Sequence, residues 1–502
     1  MKKLVSVFLI ATMLMSVFAL TPFAETDYTG YEEIATEADL LDFIEAAADE
    51  GCMDMAYVLT ADITMTQAWT NIDWFAGTLD GNGHTITLTQ PMEAPMFNDL
   101  DMDSIIKNLT VVGINVSGDA NVYGLAKNAN GNIWDCDFEN VTLTSTSTDV
   151  ALINNNYGTI SRVNLIDVNI TGAGDRAAGM VNRAKDGSVI RYCTVSGNVI
   201  SNYHVGGFAS QGETGSTFDG CLNFATITAR QSRAAGITAS NKAGSTVKNC
   251  GNYGTIIAYR GNDVMTRDDT KVSGMGCWEV GEAYTVENCF NAGMLIGGYV
   301  NPYYGGITGR SDNHALYVKN CYSLENMLYR YTDVSRQNTE LIADSTVDGV
   351  DGSGAQLDGN ERNTNGTVVT AAVFKSATMI TNLGAAFQLN TGDDAATYPI
   401  ILAADTTEAP SPEIESGDTT TPGDTTTPGG DTTTGGDSTT GGDTTTTTAP
   451  ADNNETEAPA TTTAAPAPAE EEGCASVIGG ATVALLAIAG VAPMVIRKKK
   501  ED

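Results

Sequence analysis

The chain has 502 residues, and its 26 basic against 62 acidic residues leave a formal net charge of −36. A field of that sign repels polyphosphate, which excludes nucleic acid as a natural partner. The length would allow two or three ordinary domains, but once both ends and a low-complexity stretch are set aside, roughly 375 residues remain to fold.

The start, MKKLVSVFLIATMLMSVFALTPFAETD, places two lysines before an apolar run and a small residue, the layout of a secretory signal peptide over residues 1–24. Cleavage is expected after Ala24, with Ala19 as the alternative. Residues 25–95 then hold an N-terminal cap and the first coils of a repeat structure. Within them ATEADLLDFIEAAADEG predicts an amphipathic helix over 38–48, with Leu40, Leu41, Phe43, Ile44 and Ala47 on one face. Such a helix would cover the open end of a sheet, whose edge is otherwise an aggregation site.

From 96 to 330 the chain repeats every 28 residues or so. One apolar slot recurs at Phe97, Leu125, Leu152, Met180, Phe208, Ile237, Met275 and Ile307, and glycine precedes six of the eight. A second recurs 11 to 14 residues later, at Leu109, Cys136, Val163, Cys193, Cys221, Cys250, Cys289 and Cys321. Three residues ahead of each second-slot residue stands another apolar one, from Ile106 and Ile133 through to Val318. The units are rich in Gly, Asn, Thr and β-branched residues and lack any helical stretch of three turns. A parallel β-helix fits, each repeat forming one coil and its slots facing a shared interior. Asn108, Asp135, Arg162, Tyr192, Gly220, Asn249, Asn288 and Asn320 stand just before the second slot, and a bend there lets residues three apart both point inward.

The cysteines then read as ladder members. Adjacent coils about 4.8 Å apart stack side chains in parallel, without the crossed geometry of a disulfide, and Val163 and Leu109 share the slot, so cysteine there behaves as a small hydrophobe. The exported compartment supports the rival, up to four disulfides among the eight cysteines from Cys52 to Cys321.

Residues 331–403 supply C-terminal coils and a cap, in which a segment over 374–387 would close the far end. Residues 404–472, rich in Thr, Pro, Gly and Asp, have too little apolar surface to offset the entropy of ordering and form a disordered stalk. An apolar run over 473–496, uncharged from 475, is long enough to cross a bilayer as a single transmembrane helix. The basic residues of the tail, 497–502, predict a cytoplasmic C-terminus and leave the rest outside the cell. A processed sorting tail is the rival reading, although no LPxTG-like motif precedes the run.

ATEADLLDFIEAAADEG, YVLTADIT, FAGTLDGNGHTITL and later units such as YGGITG resemble bacterial surface proteins with GLUG-motif repeats. The resemblance spans most of residues 33–402 and implies the right-handed parallel β-helix of the pectin-lyase-like superfamily. Most units here read AGMVN, GGFAS or AGITAS, and the motif's final glycine survives at Gly276 and Gly309.

That superfamily includes polysaccharide lyases and hydrolases, so chemistry has to be sought in residues. No GHG, RIK, GxSxG, HExxH or phosphate-binding loop is present. Asp268 and Asp269 are adjacent within a polar insertion and read as solvated. Asp99, Asp101 and Asp103 alternate like the start of a calcium loop, yet Ser104 stands where glycine is needed and Thr110 where the closing glutamate belongs. His84, His204 and His314 show no metal-ligand spacing, and His84 reads as a turn residue. No catalytic residue and no cofactor is expected, calcium being the one cofactor considered.

The stronger lead is the break in step between Ile237 and Met275, where the interval widens to 38 residues. Insertions in repeat proteins map to loops, often on the binding face. Tyr259, Arg260, Asp263, Trp278, Tyr299, Tyr303 and Tyr304 gather there and in the next coils, a set suited to stacking on sugar rings and hydrogen-bonding hydroxyls. The bland alternative is that the tyrosines cover an exposed coil surface. The expectation is a membrane-anchored, adhesin-like surface protein at the bacterial cell surface, binding glycan or another cell-surface molecule. A tethered polysaccharide lyase or hydrolase and a structural surface-layer component are the alternatives.

Overall fold

The computed structural model describes residues 28–47, 55–259, 270–277, 279–280, 284–297, 303–309, 317–331, 341–343 and 366–412. The expected signal peptide, transmembrane run and basic tail lie outside the described residues, as does the stalk beyond residue 412. Among the described residues the architecture is all-β, a parallel β-solenoid with a large sheet and a smaller one on either side of one apolar core. Strand pairing is parallel except between Leu328–Tyr331 and Leu341–Ala343 and between Phe387–Leu389 and Ile400–Leu402.

The repeat is visible as columns in register. Leu79, Ile106, Ile133, Ile160, Ile190, Phe218, Val247, Val286 and Val318 pair successively, one per coil. The bend after this column is uniform: all eight residues ahead of the second slot have a left-handed backbone, with φ between 51° and 67°. That conformation turns the chain so that Ile133 and Cys136, three apart, both enter the core. It costs an L-residue about 1–2 kcal/mol, offset in part by side-chain hydrogen bonds that the corner asparagines make to the coil before. Asn249 Nδ2 donates to Asp219 Oδ1 (2.6 Å), Asn288 to Asn249 (3.2 Å) and Asn320 to Asn288 (3.2 Å).

The second slot is a stack of buried thiols and aliphatic groups. Cys136, Cys193, Cys221, Cys250, Cys289 and Cys321 are all free and buried, and Cys136 pairs in register with Val163. Cys277, on the other side of the coil, is also free and buried. Disulfides are therefore absent among these seven, and Cys52 lies outside the described residues. Burial pushes the Cys193 thiol up to about 12 and the Cys277 thiol up to about 11.

The first slot needs one correction. From Leu152 onward the members align, but Phe97 sits opposite Ala126, one place beyond Leu125. The chain enters the coil one residue later there, and Met96, itself buried, takes the level of Leu125.

A third interior column changes character along the axis. Val111, Phe138, Leu165 and Val195 give way to Asn223, Asn252 and Asn291, fully buried and in register. Asn223 and Asn252 each donate to the next one's Oδ1 at 2.7 Å, and all three donate to the carbonyl two residues on, at Ala225, Gly254 or Gly293. The glycine ahead of the first slot follows from the close stacking of coils, since a Cβ on Gly179, Gly207, Gly236 or Gly274 would stand 2.1–2.4 Å from the carbonyl oxygen of the matching glycine in the next coil. A Cβ on Gly207, Gly236 or Gly274 would stand 2.7–2.8 Å from the Oδ1 of Asn223, Asn252 or Asn291.

The N-terminal helix, Glu37–Ala47, buries Leu40, Phe43, Ile44 and Ala47 against the first coils. Phe43 meets Tyr57 edge to face at 4.7 Å and Phe75 at 5.9 Å. Thr36 and Asp39 form a reciprocal capping box: Asp39 Oδ2 accepts from the Thr36 amide (2.9 Å) and Thr36 Oγ1 accepts from the Asp39 amide (3.3 Å). The C-terminal helices, Ala371–Phe374 and Ala377–Leu383, depart from the expected end cap. Phe374, Met379, Leu383, Phe387 and Ile400 form a separate cluster on the outward-facing Leu222 and Phe290, so they cover a flank of the solenoid.

Candidate functional site

After Phe97, Leu125 and Leu152 the chain leaves two consecutive polar positions open on the smaller sheet before turning inward again, as in Leu152, Ile153, Asn154 and Asn155, whereas after Met180 and Phe208 the first of the two, Asn182 or Ser210, is buried. Parallel pairing stacks these positions into two rows along the axis. One contains Trp74, Asp99, Asn128, Asn155, Arg183 and Gln211, each opposite the next. The preceding residue in each coil makes the other: Asp73, Asn98, Lys127, Asn154, Asn182 and Ser210.

The rows are held rigid by side-chain bonds. Asn128 Nδ2 donates to Asp99 Oδ1 (2.6 Å), and Asn155 Nδ2 to Asn128 Oδ1 (2.9 Å). Asn98 Nδ2 donates to Asp73 (2.5 Å), and Asn182 Nδ2 to Asn154 (3.0 Å) and Asp149 (3.1 Å). Each amide spends one N–H on each such bond, and at the half-buried asparagines the face still points to solvent. Trp74, 41% exposed, stands at one end with Nε1 on Asp101 Oδ2 (3.0 Å), and Tyr157, 47% exposed, lies beneath the Lys185 ammonium at 5.8 Å.

Charge changes along the face, from Asp73, Asp99 and Asp101 near Trp74 to a cationic group farther on. There Glu213 receives Lys242 (2.9 Å), Lys185 (3.4 Å) and Arg183 (3.9 Å). Burial alone would raise the Glu213 carboxyl, but the two lysines hold it below its ordinary value. Beside this face runs a basic column, Arg176, His204, Arg233 and Lys271, in register. Burial depresses the His204 imidazole more than Asp175, 3.2 Å away, restores it, so the ring is neutral at pH 7.

The residues singled out at the break in step fare differently. Tyr259 is half-buried, its amide donating to the carbonyl of Ala229. Tyr303 and Tyr304 lie on the strand Tyr303–Gly305, opposite Lys271 and Val272, and Val272 belongs to the core. Arg260, Asp263, Trp278, Tyr299, Asp268, Asp269 and His314 lie outside the described residues. Tyr284, in these same coils, is fully buried in the core.

The carboxylates of Asp99 and Asp101 are each held by a neighbouring side chain. Asp99 serves Asn128, Asp101 serves Trp74, and the Asp101 carbonyl closes a turn with the Ser104 amide (3.1 Å). Among the described residues no group of three or more His, Cys, Asp or Glu side chains could hold a metal ion. His84 follows a turn with positive φ at Asn82 and Gly83, its amide donating to Gly81 (2.7 Å). The polar rows were missed, although the two polar residues in LAKN, LINN and MVNR were a readable signal in the earlier coils.

No protein-family model matches the chain, and no curated protein does. Among solved structures, a candidate immunoglobulin A1 protease from Bacteroides ovatus is 16% identical with a TM-score of 0.43, over 76% of this chain and 94% of that one. An IgA1 protease is 13% identical with a TM-score of 0.38, over 64% of this chain and 23% of that one. At these values neither likeness bears on activity.

Proposed function

We propose that the protein is a membrane-tethered, adhesin-like surface module that binds glycan along the polar face of the smaller sheet. The observation that carries this reading is the pair of hydrogen-bonded amide and carboxylate rows ending at exposed Trp74. Carboxamides and carboxylates spaced about 4.8 Å apart and already fixed by their neighbours meet sugar hydroxyls with little ordering cost. An exposed indole supplies an apolar platform for a sugar ring. The export signal, the Thr-rich spacer and the apolar run read from the sequence support display outside the cell, and the GLUG-like units are consistent with a bacterial surface protein. The set from Tyr259 to Tyr304 is a second contact region within this proposal.

The test is size exclusion with light scattering on a panel of plant, host and bacterial polysaccharides, followed by titration of any that co-elute. Trp74→Ala combined with Asn128→Ala and Asn155→Ala should weaken binding at least tenfold, about 1.4 kcal/mol, with the melting temperature nearly unchanged. Unaltered affinity would move the site to the Tyr259 region. A falling polymer mass would replace the binding reading with the lyase or hydrolase.

A further inference from the structure

Beyond its flank helices the chain turns back along the solenoid. Tyr253 Oη donates to the Ile400 carbonyl (2.8 Å) and accepts from the Ile400 amide (3.0 Å). Tyr398 packs edge-on against both Phe224 and Tyr253 at 5.1 Å. Five residues beyond Ile400, Asp405 Oδ2 accepts from Arg162 Nη1 (3.0 Å), and the Pro410 carbonyl accepts from Lys107 Nζ (3.5 Å). Tyr253, Arg162 and Lys107 belong to successively earlier coils, so the segment runs against the direction of winding.

The span is consistent with an extended chain. Five rungs separate the coil of Val247 from that of Ile106, about 24 Å at the inter-strand spacing. The ten residues from Ile400 to Pro410 need about 2.4 Å each, below the extended limit of roughly 3.3–3.6 Å. The seat is also closed to water. The Arg162 side chain is 6% exposed and that of Asp405 8%. The guanidinium is held as well by both oxygens of Asp135 and lies 4.9 Å over the Trp134 ring. Lys107, 5% exposed, is anchored from below by Asp80 at 3.4 Å.

We propose that residues 398–410 are a docking strap whose receptor is the outer groove of the larger sheet, so that the spacer leaves the folded unit beside the coil of Lys107. Sequence order alone would have the spacer depart from the last coil. The docking does not rest on the tethered reading above.

Double electron–electron resonance on the full chain tests the docking. Spin labels at Ser411→Cys and Asp103→Cys should give a short, narrow distance distribution. Labels at Ser411→Cys and Glu325→Cys should lie farther apart, since seven rungs, about 34 Å, separate the coils of Ile106 and Val318. The seven buried thiols stay unlabelled under native conditions, Cys52→Ser and Cys474→Ser remove the other two, and an Asp103–Glu325 label pair serves as an internal ruler of the fold. Arg162→Ala with Tyr253→Phe should broaden the Ser411–Asp103 distribution while the ruler holds. Should that variant fail to fold, the ruler will show it, and Asp405→Asn takes its place. A broad Ser411–Asp103 distribution in the unaltered chain, or a Ser411–Glu325 distance shorter than Ser411–Asp103, overturns the proposal. Loss of glycan binding would leave these distances untouched, so the two readings fail separately.

Discussion

Replacing Asn252 with alanine is the sharpest probe of the interior, because that residue is the middle rung of a buried polar column. Its carboxamide accepts from Asn223 Nδ2 (2.7 Å) and donates to Asn291 Oδ1 (2.7 Å) and the Gly254 carbonyl (3.1 Å). All three asparagines have no exposed surface. Alanine leaves Asn291 Oδ1 and the Gly254 carbonyl without this donor and reduces Asn223 to its bond with Ala225. At about 1–3 kcal/mol for each buried group left short, and with partial compensation by relaxation, the expected loss is about 3 kcal/mol. Gly236→Ala should be costly for a different reason, since its Cβ would meet the Gly274 carbonyl at 2.3 Å as well as Asn252 Oδ1 at 2.7 Å. Combining the two removes only the side-chain clash, so the double variant should be less destabilised than the sum but still well below wild type. Urea unfolding followed by circular dichroism gives the global value. Hydrogen exchange at the strands Gly251–Asn252 and Phe290–Asn291 shows whether the loss stays within neighbouring coils, as a stacked repeat would have it. An Asn252→Ala variant within about 0.5 kcal/mol of wild type would refute the picture of a dry, tightly satisfied column.

The corner residues are open to a similar test. Asn288→Gly should be tolerated better than Asn288→Ala, which should lose about 1–2 kcal/mol for a left-handed alanine, and equal stability of the two by urea unfolding would contradict the corner geometry. Alkylation of the denatured, unreduced protein should modify Cys136, Cys193, Cys221, Cys250, Cys277, Cys289 and Cys321, whereas the native protein should protect them and melt at the same temperature with or without dithiothreitol. Cys250→Val should cost less than about 1.5 kcal/mol, because Val163 already fills that column. For pH, burial tends to raise the Asp405 carboxyl, but the Thr407 hydrogen bonds and Arg162 hold it below its ordinary value. Its contribution is therefore present above the unfolded carboxylate range and lost as pH falls through the lower folded value. Asp137, Glu139 and Asp167 are instead raised by burial, so their protonation on acidification favours the folded coils. The strap should accordingly undock in acid before the solenoid melts, which hydrogen exchange over residues 398–410 between pH 5 and pH 3 would show.

Much of the solenoid could be read in the sequence because its columns are one-dimensional. A residue that must face the core recurs at a fixed interval, and the corner ahead of it recurs with it, so Ile133, Asp135 and Cys136 announce their roles by position. The asparagine column was equally open to view, since CLNFA, CGNYG and CFNAG place an Asn two residues after each cysteine with a small residue two further on. It escaped notice because asparagine in a Gly-rich unit reads as a turn former, and only the stack shows the amide satisfied inside. Phe97 differs because a coil can enter its strand one residue late while the interval to Leu125 still reads 28.

The strap and flank helices lay beyond periodic reasoning, because an interval says how coils stack and nothing about what covers them. Yet the outward column that receives them carried a trace. In successive coils it reads Asp137, Asn164, Thr194, then Leu222, Gly251, Phe290 and Tyr322. The polar members solvate or bond one another, Asn164 donating to Asp137 at 2.8 Å and Thr194 to Asn164 at 2.7 Å. Where the column turns apolar, it meets Phe374, Phe387 and Ile400. An outward position that changes from polar to aromatic partway along a solenoid marks surface that another segment must cover, at about 25 cal/mol for each Å² removed from water. The same reasoning ties the flank to the strap. Burying Phe290 and Leu222 requires the chain to return to the middle coils after the last one, and from there the Arg162 and Lys107 contacts carry it farther back along the stack.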